Sequence, residues 1–429
     1  MKRAVVVGSG AAGAAAAKAL QGPFDVVVYE SGREFRPFKR SLGFAEKLKR
    51  AGLLRDEREI GLIYPPMRTA RTKDGMVLAW GRATGGTTTM TAGNALRMDG
   101  DLRALGVDLD AEFDELRREI PVSDGHRTRW RESTRRLFEV FSEAGLDPKP
   151  LPKMADAARC HNCGRCVLGC PSGAKWDSRK FLDEARAKGA RVVTGTKVEK
   201  VVVGSGLASG VVVRRRGRRR FVAADLVILA AGGLGTPAVL ERSGLAREPR
   251  LSVDPVLCVA APWPGARQDR EISMPFAAQL EGYILSPYFD LFSYFFNKRW
   301  SPGPGDIVSL MIKFADSSEG DVRGGRVRKP LTPADKDRMA RAVRVAEDLL
   351  ARLGVPRGRS FLGTLNAGHP GGMLPLNAGS SGTLHDPRLP ANVYVVDASL
   401  LPAALGNPPS LTIMALARKA SRLAAEKFA

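Results

Sequence analysis

Histidine, cysteine and aromatic side chains are scarce in this chain of 429 residues, which has four histidines, five cysteines and only 7% aromatics. With so few histidines, there are few candidates for a base that exchanges protons near neutral pH. The cysteines are too few and too local for a disulfide framework, since four of the five fall between residues 160 and 170. In a reducing compartment that clustering points to metal chemistry. No apolar run is long enough to span a bilayer, and the first residues read as a strand rather than a secretory leader, so the cytoplasm is the expected location. Acidic residues are outnumbered by basic ones, 45 to 67, for a formal charge of +22. Part of that excess is RRRGRRR (residues 214–220), set between VVV and FVAADLVIL. Its placement reads as a hairpin turn with a solvated strand face; its functional reading is a basic face for anionic lipid or an acidic redox partner. No nucleic-acid motif accompanies the charge, so no such partner is expected. The chain has no internal repeat and no long low-complexity linker, and its length suits two lobes around a large core.

What is present begins at the N-terminus. AVVVG reads as a buried parallel strand, GSGAAG opens an Ala-rich helix, and FDVVVYE brings a second strand to Glu30. This is a dinucleotide-binding fingerprint in its proper setting: Gly8 makes the tight turn, Gly10 lets the backbone approach a pyrophosphate, Gly13 lets helix pack on strand, and Glu30 takes ribose hydroxyls. GSGLASG (residues 204–210) imitates it, but valine runs on both sides predict strand-turn-strand, and no second nucleotide site is expected there. Thr236-Pro237 suits a helix start, with Thr236 as N-cap and Pro237 at the first helical position.

Together with the C-terminal run HPGG, YVVDAS, LLPAALGNPP and SLTIMALARKAS, this fingerprint resembles the glucose-methanol-choline family of flavin-dependent alcohol oxidoreductases. GRATGGTTTMTAGNALR and DLVILAAGGLGTPAVLERSGL resemble the family's two signatures, and CGRCVLGCPSGAKWDSRKFLDEA resembles a segment of the branch with long-chain alcohol oxidases. The resemblance implies an α/β fold: a Rossmann-like FAD-binding domain from residues 1–100, 155–245 and 370–429, and a smaller α+β substrate domain from 101–154 and 246–369 with an antiparallel sheet. Apolar patches at 255–262, 273–285 and 306–314 are candidate strands of that sheet, and PADKDRMARAVRVAEDLLARLG is an amphipathic helix. To FAD the resemblance assigns Gly8, Gly10, Ala12, Gly13, Glu30, Gly85, Gly86, Thr87, Val198, Gly232, Asp397, Ala398 and Pro408. It implies oxidation of CH-OH groups to carbonyls.

Such oxidation needs a base on the alcohol oxygen while hydride leaves the carbon. His369 stands at the position of the family's catalytic histidine, and Asn407 in GNPP at a second catalytic position; a histidine that merely supports a loop is the alternative. His369 departs from the family run in being followed by PGGMLPL. Asp397 is placed beside the flavin, or caps a turn. A helix starting near Ser410 aims free N-H groups and its positive dipole end at the flavin, or simply packs in the core.

Cys160, Cys163, Cys166 and Cys170 form C-x2-C-x2-C-x3-C-P, the ferredoxin spacing of a 4Fe-4S cluster. In two-cluster ferredoxins the fourth cysteine serves the other cluster, so either Cys170 folds back or Cys258 completes the set. Zinc on the same thiolates, or no metal, are the alternatives. The remaining signal is YILSPYFDLFSYFFNKRW (residues 283–300), which concentrates aromatics in a chain otherwise poor in them. It reads either as core or as an apolar lid touching a membrane surface. The lid reading implies a lipid-like alcohol, with electrons passing to a quinone or small redox protein. Reduction of a carbonyl or alkene by the same cofactors, and a non-catalytic electron-transfer flavoprotein, are the competing functions.

Overall fold

The computed structural model describes residues 1–39 and 42–429. Its first sheet is five-stranded and wholly parallel, in the order Val393–Val395, Leu226–Leu229, Lys2–Val7, Phe24–Tyr29, Arg191–Val193. A central parallel strand is covered on both faces, which is why Ala4, Val5, Val6 and Val7 form a continuous apolar run with 0–4% exposure. The helix Ala11–Ala19 packs between this sheet and the helices Arg179–Ala187 and Ser410–Phe428. Its alanines keep the layers close: Ala14 to Ala17 are all at 0% exposure.

A three-stranded antiparallel sheet, Thr196–Gly204, Leu207–Arg215 and Arg218–Ala223, lies beside it. Both connections are two-residue turns with positive φ, 51° and 79° at Ser205-Gly206 and 49° and 81° at Arg216-Gly217, the geometry that follows the strand twist in tight hairpins. The nucleotide-like GSGLASG is therefore a hairpin. The arginine run is exposed, and Arg214 and Arg219 share Glu199 at 2.6 Å each.

The second lobe is a nine-stranded sheet in which Val256–Pro262, Ile307–Phe314, Tyr283–Pro287 and Phe276–Leu280 run antiparallel in spatial order. These are the strands expected from the three apolar patches. Its other edge carries Met67–Arg71 and Val77–Gly81. That corrects the sequence division at residue 100, because these two strands pair with the substrate-side sheet rather than with the parallel one. The helix Pro333–Arg352, started by a capping box of Thr332 and Asp335, covers one face with Ala342, Ala346, Leu349 and Leu350. Along Ile307–Phe314 the alternation is clean: Val308, Leu310, Ile312 and Phe314 join the cluster under that helix, while Ile307 and Met311 face the opposite side. The same period of two sends Lys313 to the Met311 side. All eight residues are buried because both faces are covered.

One expected helix start is corrected. The helix begins at Gly232 and Pro237 lies inside it. Thr236 does not cap it; its hydroxyl donates to Asp397 at 2.5 Å.

Candidate functional site

The fingerprint loop is built around backbone that only glycine permits. Gly8 has φ +102°, and a Cβ on Gly13 would lie 2.0 Å from the Gly8 carbonyl oxygen. Gly10 differs: a Cβ there meets nothing closer than the Gly86 Cα at 3.8 Å, so the space beside it is open. Gly10 precedes the helix without a side-chain cap, and the first helical bond is Ala14 N-H to the Gly10 carbonyl. The N-H groups of Ala11, Ala12 and Gly13 are thus left for a pyrophosphate. Glu30 ends the second strand at 6% exposure and accepts from the Ser9 N-H, the Ser9 hydroxyl (2.6 Å) and the Gly32 N-H (2.6 Å). Burial raises its pKa, and these bonds oppose that rise. Gly85 and Gly86 both have positive φ, and Gly86 abuts Gly10 from the side of the Gly-rich segment. These features fit FAD: an open phosphate space, free helical N-H groups and an acid at the ribose position.

Val198 is 4% exposed in the core, two residues beyond Thr196, whose N-H donates to the Glu30 carbonyl at 2.9 Å. Asp397 accepts from Gly232 N-H (2.7 Å), the Thr236 hydroxyl and Ser399 N-H (2.9 Å), and Ala398 begins the short turn it caps. It ties the second signature to the C-terminal segment. The glycines after His369 are needed at the same junction: a Cβ on Gly371 would lie 2.4 Å from the Ala398 carbonyl oxygen, and one on Gly233 would lie 1.8 Å from that of Pro370. The PGG departure from the family run is thus a packing requirement.

Between the two lobes is a cavity of about 160 Å³. Thr87, Pro408 and Ser410 line one side, and its wall is mostly apolar, including Ile60, Met90, Leu291, Phe292, Phe295 and Met311. His369 lines it together with Asp254 and Lys313. The imidazole Nδ1 lies 3.2 Å from Asp254 Oδ2 and in hydrogen-bond contact with Lys313 Nζ, and Nζ is 3.3 Å from the same carboxylate oxygen. Nε2 makes no hydrogen bond to the described residues, and the side chain keeps 22% of its surface open. Burial, then the Lys313 charge, pull the His369 pKa down, with Asp254 opposing. Burial pushes Asp254 up, but Lys313 and His369 outweigh it and bring it below the usual carboxylate range.

Asn407, expected beside the base, is turned elsewhere. Its Nδ2 donates to Gln279 at 3.1 Å, and its neighbours Pro408 and Ser410 line the cavity in its place. The aromatic segment agrees with its core reading. Tyr283, Phe289, Tyr294, Phe295 and Trp300 are buried at 0–7% exposure, and Tyr288, Phe292 and Phe296 are only half-buried. Phe292, Phe295 and Tyr288 form cavity wall. No helix among the described residues is long and apolar enough to cross a membrane.

The four clustered cysteines line a second, smaller cavity together. Cys170 folds back onto it with the other three, whereas Cys258 lies on the Val256–Pro262 strand at 0% exposure and does not reach it. Among the described residues no three His, Cys, Asp or Glu side chains converge as an ion site. Lys153 and Lys175 also line this cavity. Lys153 donates to Asn94 and to the carbonyls of Ser273 and Met274 (2.7 Å each), and Lys175 to those of Thr88, Thr89 and Thr91 (2.9–3.0 Å). Neither has a carboxylate in ion-pair contact among the described residues. Burial pulls Lys153 down to about 7, opposed by Cys166 and Cys160. Cys166 faces this cavity while the next two residues, Val167 and Leu168, face the larger one, so a single turn separates them.

Sequence reasoning missed Asp254, Lys313, Lys153 and Lys175. The available signal was a lysine at an inward position of the otherwise apolar IVSLMIKF, and lysines flanking the cysteine run.

Comparison with known proteins agrees with this geometry. A family model described as GMC oxidoreductase matches residues 3–258. An uncharacterized GMC-type oxidoreductase of Mycobacterium tuberculosis is 29% identical over 96% of this chain and 74% of its own length. A long-chain-alcohol oxidase of Arabidopsis thaliana is 24% identical over 68% of this chain and 49% of its own. Among solved structures, pyridoxine 4-oxidase from Mesorbium loti aligns with a TM-score of 0.70 at 18% identity, covering 98% of this chain and 99% of that one.

Proposed function

The chain belongs to the GMC oxidoreductase family and is an FAD-dependent oxidoreductase, and from that premise we propose that it oxidises the CH-OH group of an apolar, lipid-like alcohol with His369 as the base. The observation that carries this reading is an apolar cavity with an unbonded Nε2 at its wall. When bound, FAD accepts the C-H hydrogen with its electron pair. The chain's residues do the rest. Asp254 and Lys313 both meet the ring at Nδ1, so Nε2 is the nitrogen left for substrate, and it takes the O-H proton as the carbonyl forms. The apolar wall binds the substrate's tail and excludes water. Each methylene that reaches that wall contributes about 0.8 kcal/mol, a roughly fourfold gain in kcat/KM. A series of primary alcohols of increasing length is therefore expected to show kcat/KM rising until the cavity is full. Preference for a sugar or another small polar alcohol would overturn the substrate class.

For the exit of electrons we infer a 4Fe-4S cluster on Cys160, Cys163, Cys166 and Cys170, which would supply one-electron transfer toward a quinone or small redox protein. The support is chemical. Two buried lysines without carboxylates need a compensating negative charge, and the four thiols beside them are the groups able to provide it. Protein purified without oxygen is expected to hold about four iron per chain, lost in Cys163→Ser. Stoichiometric zinc with negligible iron, or no metal, would contradict the cluster.

A further inference from the structure

We propose that Asp254 and Lys313 are positioning residues for the oxidation, gripping His369 at Nδ1 so that Nε2 faces the alcohol, with the Lys313 charge offsetting that of Asp254 at the ring. The inference rests on His369 being the base.

Three observations converge on this pair. Lys313 has a side chain only 3% exposed, on a strand face that otherwise carries Ile307, Ser309 and Met311. A buried ammonium is retained only where it is paired, and its partners are the carboxylate of Asp254 and the Nδ1 edge of His369. The placement of Asp254 is itself specified. Its backbone holds φ +51°, a left-handed conformation that a residue with a side chain adopts at a cost. The N-H groups of Val253 and Asp254 are held there by Asp316 Oδ1 at 2.8 and 3.0 Å. From that position Oδ1 accepts Gly406 N-H at 2.8 Å, next to the segment that leads into Pro408, and Oδ2 receives both Lys313 and His369. One carboxylate thereby couples the base to the loop that the resemblance places on the flavin.

The electrostatics follow from this arrangement. Among the described residues two charged groups act on the imidazole, Asp254 from the loop before the Val256–Pro262 strand and Lys313 from Ile307–Phe314. An imidazole facing only the carboxylate would hold a proton to higher pH and start the reaction already protonated. The ammonium offsets the carboxylate, so the base form persists below the ordinary histidine range of about 6.5. In the reaction the O-H bond breaks and its proton goes to Nε2; the C-H hydrogen leaves with its electron pair to FAD; the carbon-oxygen double bond forms. Lys313 and Asp254 gain and lose nothing.

The test is the pH dependence of flavin reduction by a long-chain primary alcohol in anaerobic stopped flow, with Lys313→Met, Lys313→Gln, Lys313→Arg and Asp254→Asn, each checked for bound FAD. The wild-type acid limb is expected below pH 6.5. Lys313→Met and Lys313→Gln should move it up by about one pH unit or more. Lys313→Arg, which keeps the charge, should leave the limb in place. Asp254→Asn should lower the plateau at every pH by about tenfold or more, since a neutral amide no longer ties Lys313 and His369 into one unit. If neither uncharged variant moves the limb, or if all lose rate equally at every pH, the pair only packs and the proposal fails. That outcome is separable from failure of the base assignment, which would show as a His369→Ala variant with wild-type rate.

Discussion

Replacement of His369 by alanine is expected to slow reduction of the flavin by alcohol about 100-fold to 10,000-fold while FAD stays bound, the loss typical of removing a positioned base. The two halves of that expectation have separate causes. The imidazole is on the wall of the substrate cavity and its bonds run to Asp254 and Lys313, not to the fingerprint loop. Loss of the ring therefore leaves the Gly8-to-Gly13 turn and Glu30 untouched, and the flavin spectrum should be unchanged before substrate is added. A stopped-flow trace with wild-type rate would require another base, and no other histidine lines the cavity. His126, which is buried, is occupied by the Leu151 carbonyl and the Trp130 indole N-H at 2.9 Å each.

Replacement of Gly10 by valine is expected to abolish FAD binding without unfolding the chain. Gly10 has φ −72° and ψ −162°, an extended conformation that valine adopts readily, and a Cβ there meets only the Gly86 Cα at 3.8 Å. The added methyl groups occupy the space in front of the free N-H groups at the start of the Ala11–Ala19 helix, where the pyrophosphate belongs. Wild-type protein in free FAD at 100 times its Kd gains about 2.7 kcal/mol of stability, which a thermal scan reads directly; the Gly10→Val scan should not move with added FAD. Gly13→Ala is the contrasting case, since its Cβ would collide with the Gly8 carbonyl at 2.0 Å. That variant should lose stability even without FAD. A Gly10→Val protein that remains fully yellow would place the pyrophosphate elsewhere.

These features differ in how far they could be read from sequence, and the difference is one of range. The fingerprint is local: strand, turn, helix and acid lie within thirty residues, and each glycine has a conformational reason that acts on its immediate neighbours. Two-residue turns are equally local, so flanking valines sufficed to separate GSGLASG from a nucleotide loop. His369 was reached through resemblance, and its partners were not, because Asp254 and Lys313 are brought to it by strand register between Val256↔Lys313 and by a left-handed backbone at Asp254. Neither feature leaves a pattern in a short window. Asn407 shows the converse limit. Its position in the chain matches a catalytic site, but its amide is taken by Gln279 from a distant strand. The aromatic run supports two readings in sequence, and the strands at 67–81 fall on the other side of the division at residue 100, for the same reason: composition shows that a segment is apolar or extended, but not which surface it will meet. The cysteine spacing was legible as a set, whereas the two buried lysines that line its cavity come from 59 and 84 residues away from their nearest partners on the Gly-rich segment.

The most direct measurement is the visible spectrum of the FAD-loaded wild-type protein mixed, without oxygen, with a long-chain primary alcohol. Oxidation of a CH-OH group beside His369 predicts loss of the oxidised flavin band with one aldehyde formed per flavin reduced. A flavin that stays oxidised with every apolar alcohol offered would contradict the account.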